Sequence, residues 1–325
     1  MNWVTSSVST STTSTSAGWA DAAMSDRPLV LVTGASGFVG RELVPFLTQR
    51  GWSVRSLVRD PRKGADLAAA GSEVVTGDLL DSASLQAACT GVGTVVHLAA
   101  VADSSDEELN RLVNVGGSRN LADAAEGAGV AHVVNFSSTC AGRQMRDAYG
   151  ETKRLAEAEL EREGFGVTHL RPAMIYGPGS KEWDLFVAVV KRVPVVPIPG
   201  TGRSFLRPIY LEDLLDLVER VLERDVAVGR TYDVAGPEPV TMGELVELVG
   251  QYQGLRRRII PLPAGPVILG ARILGRLTER PFVNVDQVMA FLQDTVVDIE
   301  PARRDLGFDP RPLEEGLDEV FGGRS

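Results

Sequence analysis

Side chains that bridge or ligate are scarce in this chain. It has two cysteines, Cys89 and Cys140, without paired spacing, and three scattered histidines, His97, His132 and His169. That excludes a disulfide framework and leaves no metal-ligand motif, so no metal is expected and the compartment reads as reducing and cytoplasmic. No stretch reaches the roughly 18 uninterrupted apolar residues of a membrane-crossing helix. Positive charge is also short: the net charge is −10 and the pI near 5.0. A nucleic-acid surface would need clustered Lys and Arg, and Arg256-Arg257-Arg258 is too brief a run to supply it. No Lys or Arg precedes Arg27, and from Thr5 to Ser16 every position except Val8 is Ser or Thr. Residues 1–26 therefore match neither a secretory nor a transit signal, read as a disordered tail, and include Met24 as a candidate start.

What remains is enough for a large core. A chain of 325 residues, 44% hydrophobic and 23% charged, supports a soluble protein built as one big α/β domain or as one domain with a smaller appendage. The organising stretch is Leu29-Val30-Leu31-Val32-Thr33-Gly34-Ala35-Ser36-Gly37-Phe38-Val39-Gly40, an apolar run that breaks into three glycines spaced three apart. It reads as strand, tight turn and helix. Glycines there let a diphosphate lie against backbone N–H groups at the positive end of a helix, with no Cβ in the way.

The pattern then repeats. A helix over Phe38–Arg50 leads to a strand over Ser53–Val58, followed by Arg59 and Asp60. At the end of that strand an acidic side chain holds a ribose 2′-hydroxyl, whereas an arginine accommodates a 2′-phosphate. Arg59 is read as the phosphate partner, favouring NADP(H), with Asp60 the feature that keeps NAD(H) open. A third strand at Glu73–Val75 exits through Gly77-Asp78-Leu79-Leu80-Asp81, where Asp81 or Ser82 can cap a helix. A fourth, Thr94–Leu98, ends in Ala99-Ala100, small enough for a flat cofactor to pass; His97 reads as a packed strand residue. A helical stretch from Glu107 to Ala128 contains Asn114, and a fifth strand, His132–Phe136, leads into Ser137-Ser138-Thr139. Alternating strands and helices of this kind form a doubly wound parallel sheet.

Tyr149 and Lys153 stand at i and i+4 on one helix running to Glu163. A phenol is a poor base at its usual pKa near 10, but a neighbouring cation favours phenolate and lowers it. The pair can then exchange a proton with a carbonyl or alcohol oxygen, which Thr139 or its neighbour Ser138 can hold.

With these motifs in order, the chain resembles the extended short-chain dehydrogenase/reductase superfamily, which includes epimerases and dehydratases, from Arg27 to Phe321. The resemblance implies a Rossmann-type dinucleotide-binding domain over residues 27–172 and a small C-terminal α/β substrate domain over most of 173–325, interleaved with the last strands. It implies that Gly34, Ser36, Gly37, Phe38, Val39 and Gly40 cradle the pyrophosphate, that Asp78 and Leu79 hold the adenine, and that Leu98, Ala99 and Ala100 line the cofactor path. Asn114 would support the site, Thr139 orient the reacting oxygen, Tyr149 act as acid/base, Lys153 bind the nicotinamide ribose, and Pro172 meet the nicotinamide. Family members dimerise through helices matching Glu107–Ala128 and Tyr149–Glu163, so a homodimer is possible for this chain.

Two departures bear on substrate. Sugar-nucleotide epimerases of the family carry asparagine where Met174 stands and arginine where Leu206 stands, seven residues before Asp213, although Arg207 or Arg203 can stand in. The stretches Arg207–Asp213 and Val297–Phe308 look more like the branch related to the NADPH-binding accessory subunit of respiratory complex I, whose members often lack the tyrosine and lysine kept here. Three functions follow: an oxidoreductase acting on a small-molecule carbonyl or secondary alcohol, an epimerase or dehydratase that retains NAD, or a non-catalytic NADP(H)-binding subunit. In the C-terminal part, Trp183–Lys191 and a segment after Glu212 read as helices, Pro194–Pro199 as a Pro-rich crossing, and Thr241-Met242-Gly243-Glu244 as a capping box. Pro263–Leu277 is apolar with Arg272 and Arg276 on one face. It reads as a packing helix with solvated arginines, the alternatives being a place near a lipid surface or over the substrate cleft.

Overall fold

Every residue of the first strand, Val30–Thr33, is buried, as a strand with neighbours on both edges and helices on both faces must be. The structure, a computed structural model, describes residues 27–101, 106–143, 146–277, 288 and 292–322, so the expected tail at 1–26 lies outside the described residues. The sheet strands are β1 (Val30–Thr33), β2 (Val54–Val58), β3 (Glu73–Thr76), β4 (Thr94–His97), β5 (His132–Phe136), β6 (Gly166–Pro172) and β7 (Thr231–Val234). They pair in the order β7-β6-β5-β4-β1-β2-β3, all parallel. The order reverses between β1 and β4, where the crevice outside the strands' carboxyl ends receives ligands in sheets of this type.

Alternation along β1 sends Val30 and Val32 into one core and Leu31 into the other. The longer helices are α1 (Phe38–Gln49), α2 (Ser82–Cys89), α3 (Gly117–Ala128), α4 (Ala148–Leu160), α5 (Lys181–Arg192), α6 (Leu211–Glu223), α7 (Met242–Tyr252) and α8 (Ala264–Leu277), of which α1, α2, α3, α4 and α6 cover the two faces of the sheet. Leu43, Val44 and Leu47 of α1 meet Leu214, Leu217 and Val218 of α6 in the first core, whereas Leu85, Leu121, Ala125 and Leu160 of α2, α3 and α4 fill the second. A third core gathers Tyr176, Trp183, Ile198, Leu206, Tyr210, Leu245 and Val249.

Asp81 is the residue that caps α2, and Thr241 with Glu244 forms the capping box of α7. Three expectations shift. The helix expected over Glu107–Ala128 is broken by a π turn at Leu112–Gly116 that carries Asn114, the kind of interruption that aims a side chain. The Pro-rich crossing is a strand, Val195–Pro199, paired in parallel with Arg258–Leu262; an edge ribbon tolerates proline because a missing N–H faces no second partner. Finally, α4 stops at Leu160, before Glu163.

Candidate active site

The turn after β1 is built so that only glycine fits. Gly34 has φ +70°, and a Cβ there would sit 2.7 Å from the Ala99 backbone nitrogen. A Cβ on Gly40 would come within 2.5 Å of the Gly34 carbonyl oxygen. Gly37, by contrast, is exposed and stands as the N-cap of α1 with no side chain capping the helix. The first-turn N–H groups thus lack the side-chain acceptor that most helices recruit. Ser36, Phe38 and Val39 lie around this end, half-buried. A diphosphate suits such a cradle in charge and in clearance.

The neighbouring strand ends border this turn. Ala99 packs against Gly34, Leu98 is half-buried beside it and Ala100 is exposed. Arg59 is exposed and makes no hydrogen bond or ion pair among the described residues, whereas Asp60 caps the next turn and grips Arg62 through both carboxylate oxygens, at 2.9 Å each. The arginine is free and the aspartate is engaged. Asp78 accepts from the Leu80 N–H at 2.9 Å. The Leu79 side chain is buried in the second core, so any contact of Leu79 with a nucleotide falls to its backbone. Pro172 is buried at the carboxyl end of β6.

The chemistry-bearing side chains converge at the ends of β4, β5 and α4. Ser138 is used as a cap, accepting from the Cys140 N–H at 3.2 Å, while Thr139 lines a cavity of about 110 Å³ with Gly142, Arg143, Arg171, Asp233 and Thr295. Of the two residues, Thr139 is the one that lines this cavity. Asn114 bridges both backbone groups of Val101 at 2.8 and 2.9 Å and donates to Thr152, whose hydroxyl bonds the Tyr149 carbonyl. Asn114 thereby ties the loop after β4 to the first turn of α4. His97 is locked between Thr33 and Ser118 at 2.7 and 3.2 Å, and its burial pushes its pKa down to about 3, so it stays neutral and structural.

One expectation is corrected here. Lys153 is buried and its ammonium donates to the Phe136 carbonyl oxygen, with its pKa lowered to about 8 by burial against the opposing pull of Glu157. The Tyr149 phenol is raised, not lowered: burial dominates, and Cys140, Asp147 and Glu182 add negative potential. The i, i+4 spacing brought the two onto one helix face, but the ammonium is turned to the end of β5 and its charge does not lower the phenol.

The sequence reading missed Glu157 and Arg171. Arg171 binds Glu157 through Nε and Nη2 at 2.9 and 2.7 Å behind the Thr139 cavity. The i, i+4, i+8 series Tyr149, Lys153, Glu157 was its available signal. The sequence reading also let Arg207 stand in for a lost diphosphate contact. In the structure its guanidinium is spent on the carbonyls of Gly236, Pro237 and Val297. Leu206 is buried in the third core and Met174 packs against it, while Asp213 is bound to Arg311 at 2.8 Å.

A family model described as the NAD dependent epimerase/dehydratase family matches residues 30–235. A ceramide reductase of Caulobacter vibrioides is 32% identical over 264 residues, covering 79% of this chain and 81% of that protein. A 3 beta-hydroxysteroid dehydrogenase/Delta 5-->4-isomerase of Mycobacterium tuberculosis is 32% identical over 321 residues, covering 86% of each. Among solved structures, MoeE5 in complex with UDP-glucose and NAD superposes with a TM-score of 0.71 at 25% identity, covering 90% of this chain and 97% of that one.

Proposed function

The chain belongs to the NAD-dependent epimerase/dehydratase family and is an NAD(P)-dependent enzyme, and from that premise we propose that it is an NADP(H)-preferring oxidoreductase acting on a carbonyl or secondary alcohol of a largely apolar small molecule. The observation that carries this reading is the spent Arg207 guanidinium together with the buried Leu206, which withdraws both positions from a sugar diphosphate and leaves the exposed Arg203 as the one stand-in of the two that is still free among the described residues. The relatives named for ceramide and hydroxysteroid chemistry support an apolar substrate. The free Arg59 and the engaged Asp60 support a 2′-phosphate.

Gly34, Gly37 and Gly40 would hold the pyrophosphate, and Asp78, Ala99 and Ala100 would border the nucleoside, with Lys153 and Pro172 at the nicotinamide end. The nicotinamide, when bound, supplies the hydride donor or acceptor. Tyr149 handles the proton at its Oη. With the phenol raised by burial and its acidic neighbours, the resting group carries the proton that reduction of a carbonyl consumes and that oxidation of an alcohol returns. Thr139 holds that oxygen by a hydrogen bond. Lys153 presents a buried positive charge beside the site, and Asn114 fixes the start of α4 through Thr152 and the backbone of Tyr149.

The test begins with protein purified without added nucleotide, denatured and analysed by mass spectrometry. An empty site that then takes NADPH more tightly than NADH is expected, whereas stoichiometric NAD⁺ would favour the epimerase or dehydratase reading. Tyr149→Phe is expected to keep NADPH affinity and lose at least about a hundredfold in turnover on a 3-keto lipid or 3-ketosteroid that the parent reduces. Near-parental turnover would remove Tyr149 from the chemistry, whereas a parent that binds NADPH and turns over no such substrate would favour a binding subunit.

A further inference from the structure

Between Arg256 and Leu277 the chain carries Arg256, Arg257, Arg258, Arg272 and Arg276 and no acidic residue, although the whole chain has a net charge of −10. The fold sets this concentration of positive charge among apolar side chains that face solvent. In the ribbon of Val195–Pro199 with Arg258–Leu262, Ile260 stands opposite Pro197 and Arg258 opposite Val195. Side chains alternate across a strand, so Val196 and Ile198 enter the third core while Val195, Pro197, Ile260 and Leu262 make the outer face. Ile260 is 48% exposed.

α8 follows that ribbon in the chain and exposes apolar side chains of its own. Pro263 links the ribbon directly to it, and Leu269, Arg272 and Ile273 share one side at i, i+3 and i+4. Leu269 and Ile273 are 59% and 49% exposed. Among the described side chains of α8 only Ala271 is buried, and none joins the three cores. The helix thus buries Ala271 and half-buries Val267 and Ile268, while Leu269, Arg272 and Ile273 face solvent. Arg256, Arg258 and Arg272 are exposed and make no hydrogen bond or ion pair among the described residues, whereas Arg257 is tied to the carbonyls of Val190 and Lys191.

We propose that the outer face of the Val195–Pro199 and Arg258–Leu262 ribbon, together with α8, docks this protein on an anionic lipid bilayer. Arginines at headgroup level meet lipid phosphates while leucine and isoleucine side chains sit below them. The remainder of the chain, being acidic, is repelled, which turns this face toward the surface. A second copy would oppose arginine to arginine across a two-fold axis, and a nucleic acid would leave the apolar side chains unmatched. With 14 residues, α8 is about 21 Å long, short of the roughly 30 Å hydrocarbon core, so it lies in the interface and does not cross. This inference is independent of the redox reading.

Flotation of the full chain with phosphatidylcholine vesicles, and with vesicles in which part of that lipid is replaced by phosphatidylglycerol, tests it. Binding is expected only to the anionic vesicles, weakening as salt is raised. The variant Arg256→Glu/Arg258→Glu/Arg272→Glu should lose on the order of a hundredfold in partitioning, and Leu269→Ser/Ile273→Ser should also lose most of it, both with unchanged NADPH affinity and melting temperature. Equal recovery with both lipids, no recovery with either, or parental recovery of the triple variant would overturn the proposal. So would light scattering that reports a dimer which these substitutions dissociate, since the face would then be a protein interface.

Discussion

Arg171 reaches from the end of β6 to Glu157 on α4 and closes a two-pronged ion pair at 2.9 and 2.7 Å, with the Glu157 side chain only 6% exposed. The pair holds Glu157 ionised, its pKa lowered by Arg171 against the effect of burial. Removing the guanidinium alone leaves a shielded carboxylate without its partner. Arg171→Leu is expected to cost about 2–3 kcal/mol in urea unfolding at pH 7, toward the low end for a buried pair because Arg171 retains some solvent. The double variant Glu157→Gln/Arg171→Leu should recover most of that loss, and additive losses would show that the pair does not act as a unit.

Gly34 and Gly37 separate folding from binding. Gly37 has φ −79° and a Cβ there would meet only the Gly34 carbonyl oxygen, at a tight 3.1 Å, so Gly37→Ala should cost clearly less stability than Gly34→Ala. The methyl group would nevertheless occupy the approach of a diphosphate, and NADPH affinity should fall at least about tenfold. Gly34→Ala, at φ +70° against the Ala99 backbone, should lose stability as well as affinity. Calorimetric melting beside a fluorescence titration reads both effects, and a Gly37→Ala variant with parental affinity would take the cradle out of nucleotide binding.

The doubly wound sheet was legible because its signals are local. Val30–Thr33 breaking into Gly34 announces a strand and turn within a few residues, and His132–Phe136 announces a buried strand by composition alone. Asp81 and Thr241 could be read as caps for the same reason. What stayed hidden depends on distant partners. Nothing near Arg207 says that its guanidinium meets Gly236, Pro237 and Val297, and nothing near Arg171 announces Glu157. The direction of the Tyr149 shift was equally unreadable, because it follows first from burial, which the local sequence does not announce, with Cys140, Asp147 and Glu182 adding to it.

Arg59 makes cofactor choice a mutational question. It stands exposed at the end of β2 without a partner among the described residues, whereas Asp60 is bound to Arg62. A charge-assisted bond is worth about 1.5–3 kcal/mol, so Arg59→Ala should weaken NADPH about ten- to a hundredfold while leaving NADH nearly unchanged. Isothermal titration with both nucleotides checks it. Equal losses for the two would assign Arg59 a role other than 2′-phosphate recognition.

Lys153 gives stability a pH dependence of a definite sign. Burial lowers its pKa from 10.5 to about 8, with Glu157 opposing the shift from one turn along α4. His97, which faces it from β4, is neutral at these pH values. Between the two pKa values the unfolded chain holds a proton that the folded chain has released, so stability rises with pH across that window, by at most about 1.4 kcal/mol per unit. Below the folded value both states are charged and the burial cost is present in full. Cys89, raised from 9.0 to about 11, contributes the opposite slope above pH 9. The rise belongs to the interval from about pH 8 to 9, where chemical unfolding of the parent should gain stability relative to Lys153→Met, whose own curve lacks this term. In the same interval turnover should fall if the ammonium is what the reaction uses. A parent and variant that run parallel in unfolding free energy would mean that Lys153 stays charged in the folded protein to higher pH.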